Sequence, residues 1–126
     1  MTPTRLLFRP LAEVQIIEAF NAYGLRSKVR AQEWMDALDE AFTSIEHFPL
    51  ASSMLFENVR RIHVKGFPYL LLLVVDETQT PREAVIVACV HERGDPQTWR
   101  AMSGQTQQPV EIGGLFVHRR ATPRRR

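Results

Sequence analysis

Tyr69-Leu-Leu-Leu-Leu-Val-Val75 is apolar at every position, and it is bracketed by two turn-forming stretches, Gly66-Phe-Pro68 and Glu77-Thr-Gln-Thr-Pro81. A run this short falls far below the roughly 20 residues that a membrane-crossing helix needs. Held between breakers, it reads as a β-strand. A strand without polar alternation is central, shielded on both faces, or shielded on one and closed over by a partner on the other. The rest of the chain has to supply that cover.

The turns on either side make Phe56 to Lys65 and Arg82 to Glu92 the flanking strands, and connections so short favour antiparallel neighbours. Upstream, Arg5 to Phe8 is a short strand, and Pro10 suits the first turn of a helix, where its missing N–H costs nothing. Leu11, Val14, Ile16, Ile17, Phe20 and Tyr23 spread over a broad helical face, with Gly24 as the stop. A second helix starts at Ser27, an N-cap residue, and ends before Pro49. Its residues Trp34, Leu38, Ala41, Phe42 and Ile45 recur at intervals of three and four, which places one apolar stripe on the side facing the sheet. The expected fold is α+β: an N-terminal strand and a two-helix antiparallel hairpin packed on a small, mainly antiparallel β-sheet. Residues 1–102 are expected to form one domain. Residues 103–126, with Gly104, Pro109, Gly113, Gly114 and Pro123, read as an irregular basic tail around one candidate strand, Leu115 to His118.

Charge is unevenly placed. The chain has 16 basic and 14 acidic residues, and Arg119, Arg120, Arg124, Arg125 and Arg126 supply the whole positive balance. Without those five, 11 basic residues face 14 acidic ones, a net of −3. A uniformly basic nucleic-acid binder is therefore not expected, and only local placement of cations can carry such a role. The N-terminus lacks the order of a signal peptide, so a soluble, cytoplasmic protein is expected. The single cysteine, Cys89, lies within Ala84-Val-Ile-Val-Ala-Cys-Val90 and reads as a buried, inert thiol. One cysteine and four unpaired histidines predict no metal site, and nothing in the sequence calls for a cofactor.

Val59 to Lys65 alternates, so Arg61, His63 and Lys65 share one strand face, about 7 Å apart along the strand and close to the spacing of backbone phosphates. A solvated strand face is the plainer reading of the same pattern. His91 and Arg93, at the end of the third strand, have matching parity and are expected to converge on the same basic groove. His63 and His91 are candidate general acids or bases, since imidazole exchanges protons near neutral pH. A hydrogen-bonded structural histidine is the commoner case. Trp99 follows Asp95-Pro-Gln-Thr in a turn, placed either to meet a base or partner or to close the sheet edge as a lid. His47 suits the C-terminal end of the second helix, and His118 falls in the tail.

Taken in order, Pro-Leu-Ala-Glu13 after the first strand, Phe48-Pro49 after the hairpin, Val59-Arg-Arg-Ile62, Phe67-Pro-Tyr69, Val-Val-Asp76 and Val90-His-Glu-Arg-Gly-Asp-Pro-Gln-Thr-Trp99 resemble the RelE/ParE toxin superfamily, in its ParE-like, plasmid-stabilisation branch. The resemblance spans about Leu6 to Arg100. It implies the toxin of a type II toxin-antitoxin system, neutralised by a cognate antitoxin in a hetero-oligomer. ParE-like members are associated with inhibition of DNA gyrase, and RelE-like members are metal-independent endoribonucleases that cut mRNA on the ribosome. Gyrase is the expected target, with Arg61, Lys65, Arg93 and Trp99 as target-binding residues. The RNase alternative assigns proton transfer to His63 or His91, because Trp99 stands where RelE-like toxins often carry a tyrosine and an indole can only donate. A non-toxic module that keeps only the antitoxin-binding surface is the third alternative.

Overall fold

The computed structural model describes residues 2–104, so the Leu115 to His118 strand candidate and the arginine-rich segment lie outside the described residues. The elements follow in the order β1 (Arg5–Phe8), α1 (Pro10–Arg26), α2 (Lys28–His47), a 3-10 turn (Pro49–Ala51), β2 (Ser53–Phe56), β3 (Val59–His63), β4 (Tyr69–Asp76), β5 (Glu83–His91) and α3 (Pro96–Ser103). They build one five-stranded sheet in the order β1-β5-β4-β3-β2, in which β1 runs parallel to β5 and every other pair is antiparallel. The apolar β4 is central, as its hydropathy demands. Its Leu71, Leu72 and Leu73 are fully buried, and they feed two cores, one on each face of the sheet.

The α1–α2 hairpin covers the face carrying Leu71, Leu73 and Ile86. Trp34 is the centre of this core. Its indole N–H donates to the Ile16 carbonyl at 3.3 Å, and its ring meets those of Phe67 and Tyr69 edge-on at 5.1 Å. A buried indole needs such an acceptor, and edge-to-face contacts suit the ring quadrupoles. Ser27 turns the chain between the helices by itself. Its extended backbone (φ −165°, ψ 124°) ends α1, and its hydroxyl accepts the Arg30 N–H at 3.1 Å as the N-cap of α2. Helix α1 therefore runs past Gly24, the expected stop, to Arg26.

Two further elements differ from expectation. The strand expected over Phe56 to Lys65 is β3, and an unexpected strand β2 precedes it, the two joined by a turn at Glu57 and Asn58, with Glu57 in the left-handed region at φ 47°. The expected turn after Asp95 is the start of α3: Asp95 accepts the Gln97 N–H at 3.0 Å, and Pro96 takes the first helical position. Strand β5 also bulges. Leu72 lies opposite Ala88 but Leu73 opposite Ile86, leaving Val87 as the extra residue, and Val87 and Ala88 both enter the core away from the hairpin.

Strand β1 accompanies β5 only as far as Ile86, so the outer edge of β5 beyond that point has no strand partner among the described residues. Its polar groups are met otherwise: the Cys89 N–H donates to the Gln15 side chain at 2.8 Å. Helix α3 covers the face away from the hairpin, where Trp99 and Met102 pack on the second core. The Arg9 guanidinium donates to the Ser103 carbonyl at 2.8 Å, and the Arg100 guanidinium lies 4.4 Å from the Phe56 ring and 3.3 Å from Glu57 Oε2.

Candidate functional site

Residues opposite one another in a ladder share a sheet face. His63 lies opposite Leu70, which lies opposite Val90; Arg61 lies opposite Leu72, which lies opposite Ala88. Arg61 and His63 therefore occupy the face turned away from the helical hairpin. His91 lies opposite Tyr69, on the other face, with their rings 5.4 Å apart. The single groove expected from strand parity does not form. Parity within each strand was read correctly, but the register between strands is offset by one residue, which sends His91 through to the hairpin side.

The two groups that result differ in character. Arg61 and His63 line a cleft of about 490 Å³ together with Phe48, Ser52, Ser53 and Glu92. His63 Nε2 sits 3.5 Å from Glu92 Oε1, with both side chains about half exposed. At that exposure the pair contributes little to stability. Its interest is chemical, since a carboxylate orients an imidazole. Arg61 is exposed and unpaired among the described residues, and so is Lys65 in the β3–β4 turn. Arg60 is committed elsewhere: its guanidinium donates to the Leu50 and Ser52 carbonyls at 3.2 and 2.7 Å and fixes the connection into β2. The same edge exposes Phe48 (70%) and Met54 (53%). Glu92 and Phe48 were not anticipated, because nothing in the sequence reports the register that aligns Glu92 with His63.

On the hairpin side, the Arg93 N–H donates to His91 Nδ1 at 3.1 Å, which leaves Nε2 to carry the proton of the neutral ring. The Arg93 side chain is exposed beyond the strand end. Trp99 is only 6% exposed and packs with Val87 and Val90. Its ring is part of the core on the face away from the hairpin and offers no open face for stacking on a base. Cys89 is buried, and burial pushes its thiol up to about 12, far from nucleophilic at neutral pH. Tyr69 and Tyr23 hydroxyls are likewise raised, chiefly by burial. Among the described residues no cluster of His, Cys, Asp and Glu is placed to hold a metal ion, and no helix is long and apolar enough to cross a membrane.

A family model described as the ParE toxin of the type II toxin-antitoxin system parDE matches residues 6–96, from β1 to the first residue of α3. No curated protein matches the chain.

Proposed function

The chain belongs to the ParE toxin family of type II toxin-antitoxin systems, and we propose that it arrests growth by binding DNA gyrase through the β2–β3 edge. Toxins of these systems pair with a cognate antitoxin. One observation carries the choice of a protein target: Phe48, largely exposed, lines the cleft that holds Arg61, and exposed Met54 lies on the neighbouring β2. Aromatic and Met side chains beside arginine are the composition of a protein-binding surface. His63 and His91 lie on opposite faces of the sheet, so a cleaving site would draw on one of them and not on both. Induction in cells followed by separate measurement of plasmid supercoiling and of translation tests the proposal. Supercoiling is expected to change first; early loss of translation with intact supercoiling would reject gyrase as the target.

The His63–Glu92 pair beside Arg61 favours a second reading, a metal-independent endoribonuclease acting on ribosome-bound mRNA. In it, His63 exchanges the proton, Glu92 orients the ring, and Arg61 holds the phosphate. His63→Ala would then abolish transcript cleavage in an otherwise folded protein. Undiminished cleavage removes His63 from that role.

A further inference from the structure

The outer side of β3 is left open where β2 begins. The Val64 N–H donates to the Tyr69 carbonyl at 2.9 Å, so Val64 and Ile62 turn their main-chain groups toward β4, while the alternate residues Arg61 and His63 turn theirs the other way. Arg61 lies opposite Ser53, the first residue of β2. The place opposite His63 holds no strand, because Ala51 already belongs to the 3-10 turn. The His63 N–H and C=O therefore face outward with no partner among the described residues, beside the 490 Å³ cleft that His63 lines. An unpaired main-chain donor and acceptor on a sheet edge are a template for an extended segment.

The two sides of the cleft set what that segment carries. A residue paired with His63 places its side chain on the face that holds Arg61 and His63, and its two neighbours place theirs on the opposite face. On the first face Arg61 has no counter-ion among the described residues, and Lys65 is exposed two residues further on; against these two cations stands one carboxylate, Glu92, 3.5 Å from His63 Nε2. The second face is the hairpin side, where Ile45 of α2, Phe48 after it and Ile62 line the cleft. Phe48 is left 70% exposed there. One carboxylate between two apolar side chains is complementary to both faces.

We propose that this cleft takes an extended apolar-acidic-apolar segment of the target protein as a short added strand, main-chain paired to His63 and with its carboxylate on Arg61. The proposal rests on reading the β2–β3 edge as the surface that meets a protein target, and deepens it by naming the chemistry of what is bound. The probe is the blocked peptide acetyl-Ala-Leu-Glu-Leu-Ala-amide, titrated into the isotope-labelled full-length chain and followed by NMR. Saturable shifts are expected at the His63 amide and the Arg61 Nε–H. Methylating the nitrogen of the peptide's Glu removes its donor to the His63 carbonyl, and replacing that Glu by Lys reverses its charge. Each change should weaken binding about fivefold, the equivalent of one hydrogen bond. Arg61→Ala should bind the Glu and Lys peptides equally while the His63 shift persists. An unmoved His63 amide, or equal affinity for the methylated peptide, would overturn the proposal. So would a short oligouridylate that shifts Arg61 where the peptide shifts nothing, since the cleft would then read phosphate. The titration contains no gyrase, so its failure removes this docking mode alone, whereas unchanged supercoiling in induced cells removes gyrase.

Discussion

At Gly94 a side chain has nowhere to go: a Cβ would sit 2.8 Å from the Trp99 indole nitrogen and 3.1 Å from the His91 carbonyl oxygen. The carbonyl is backbone and the indole is wedged in a core, so neither yields cheaply. Gly94→Ala should cost about 1–3 kcal/mol, the usual range for overpacking. Denaturant titration read by Trp fluorescence checks this, and an unchanged midpoint would mean that α3 is not fixed by this contact. Cys89 gives a second test at single-residue scale. Burial holds its thiol at about 12, whereas an unfolded thiol ionises near 8.5. The unfolded chain loses the proton first, so the thiol's contribution is intact below about pH 8.5 and falls as pH rises toward 12, by about 1.4 kcal/mol per pH unit. Cys89→Ala should flatten the loss of stability between pH 9 and 10.5 in denaturant titrations. A slope that persists would assign the alkaline loss to other groups, Tyr23 and Tyr69 among them, whose hydroxyls burial also raises.

At the scale of elements, the helical hairpin depends on one residue between its two helices. Ser27 ends α1 and caps α2, so Ser27→Ala removes the acceptor for the Arg30 N–H and should cost about 1 kcal/mol. A thermal midpoint lower by about 4 °C is the expected reading; no shift would show that Arg30, held by the Gly66 carbonyl and 3.8 Å from the Phe67 ring, fixes the joint without it. The hairpin and the central strand were legible in sequence because long apolar periodicities and Pro, Gly and Ser boundaries leave few alternatives. What escaped was carried by weaker signals. Glu57-Asn58 turns a hairpin without glycine, and Asp95-Pro96 is an N-cap and first-turn proline ahead of only eight helical residues. The site was half legible: Arg61 and His63 do share a face, but the step that separates His91 from them is a register, which depends on turn geometry across strands and leaves no mark in either strand alone.

For the whole molecule, what matters is where the charge sits rather than how much there is. Exposed cations stand at Arg61 on β3 and Lys65 in the turn after it, while Glu18 and Asp95 line a cleft between α1, the end of β5 and α3. A target recognised through Arg61 and Lys65 would be steered to them by the local field, which changes association rates by 10- to 1,000-fold and is screened beyond about 10 Å in ordinary salt. Arg61→Glu with Lys65→Glu should therefore abolish growth inhibition. Both side chains are exposed, so folding stability should stay within about 0.5 kcal/mol of the parent. The informative control is Arg26→Glu with Lys28→Glu, the same change in net charge placed at the exposed tip of the helical hairpin. If the edge itself meets the target, the tip variant stays toxic while the edge variant does not, as growth curves after induction would record. If both lose toxicity equally, the net charge of the molecule governs the encounter, and the β2–β3 edge has no special role in it.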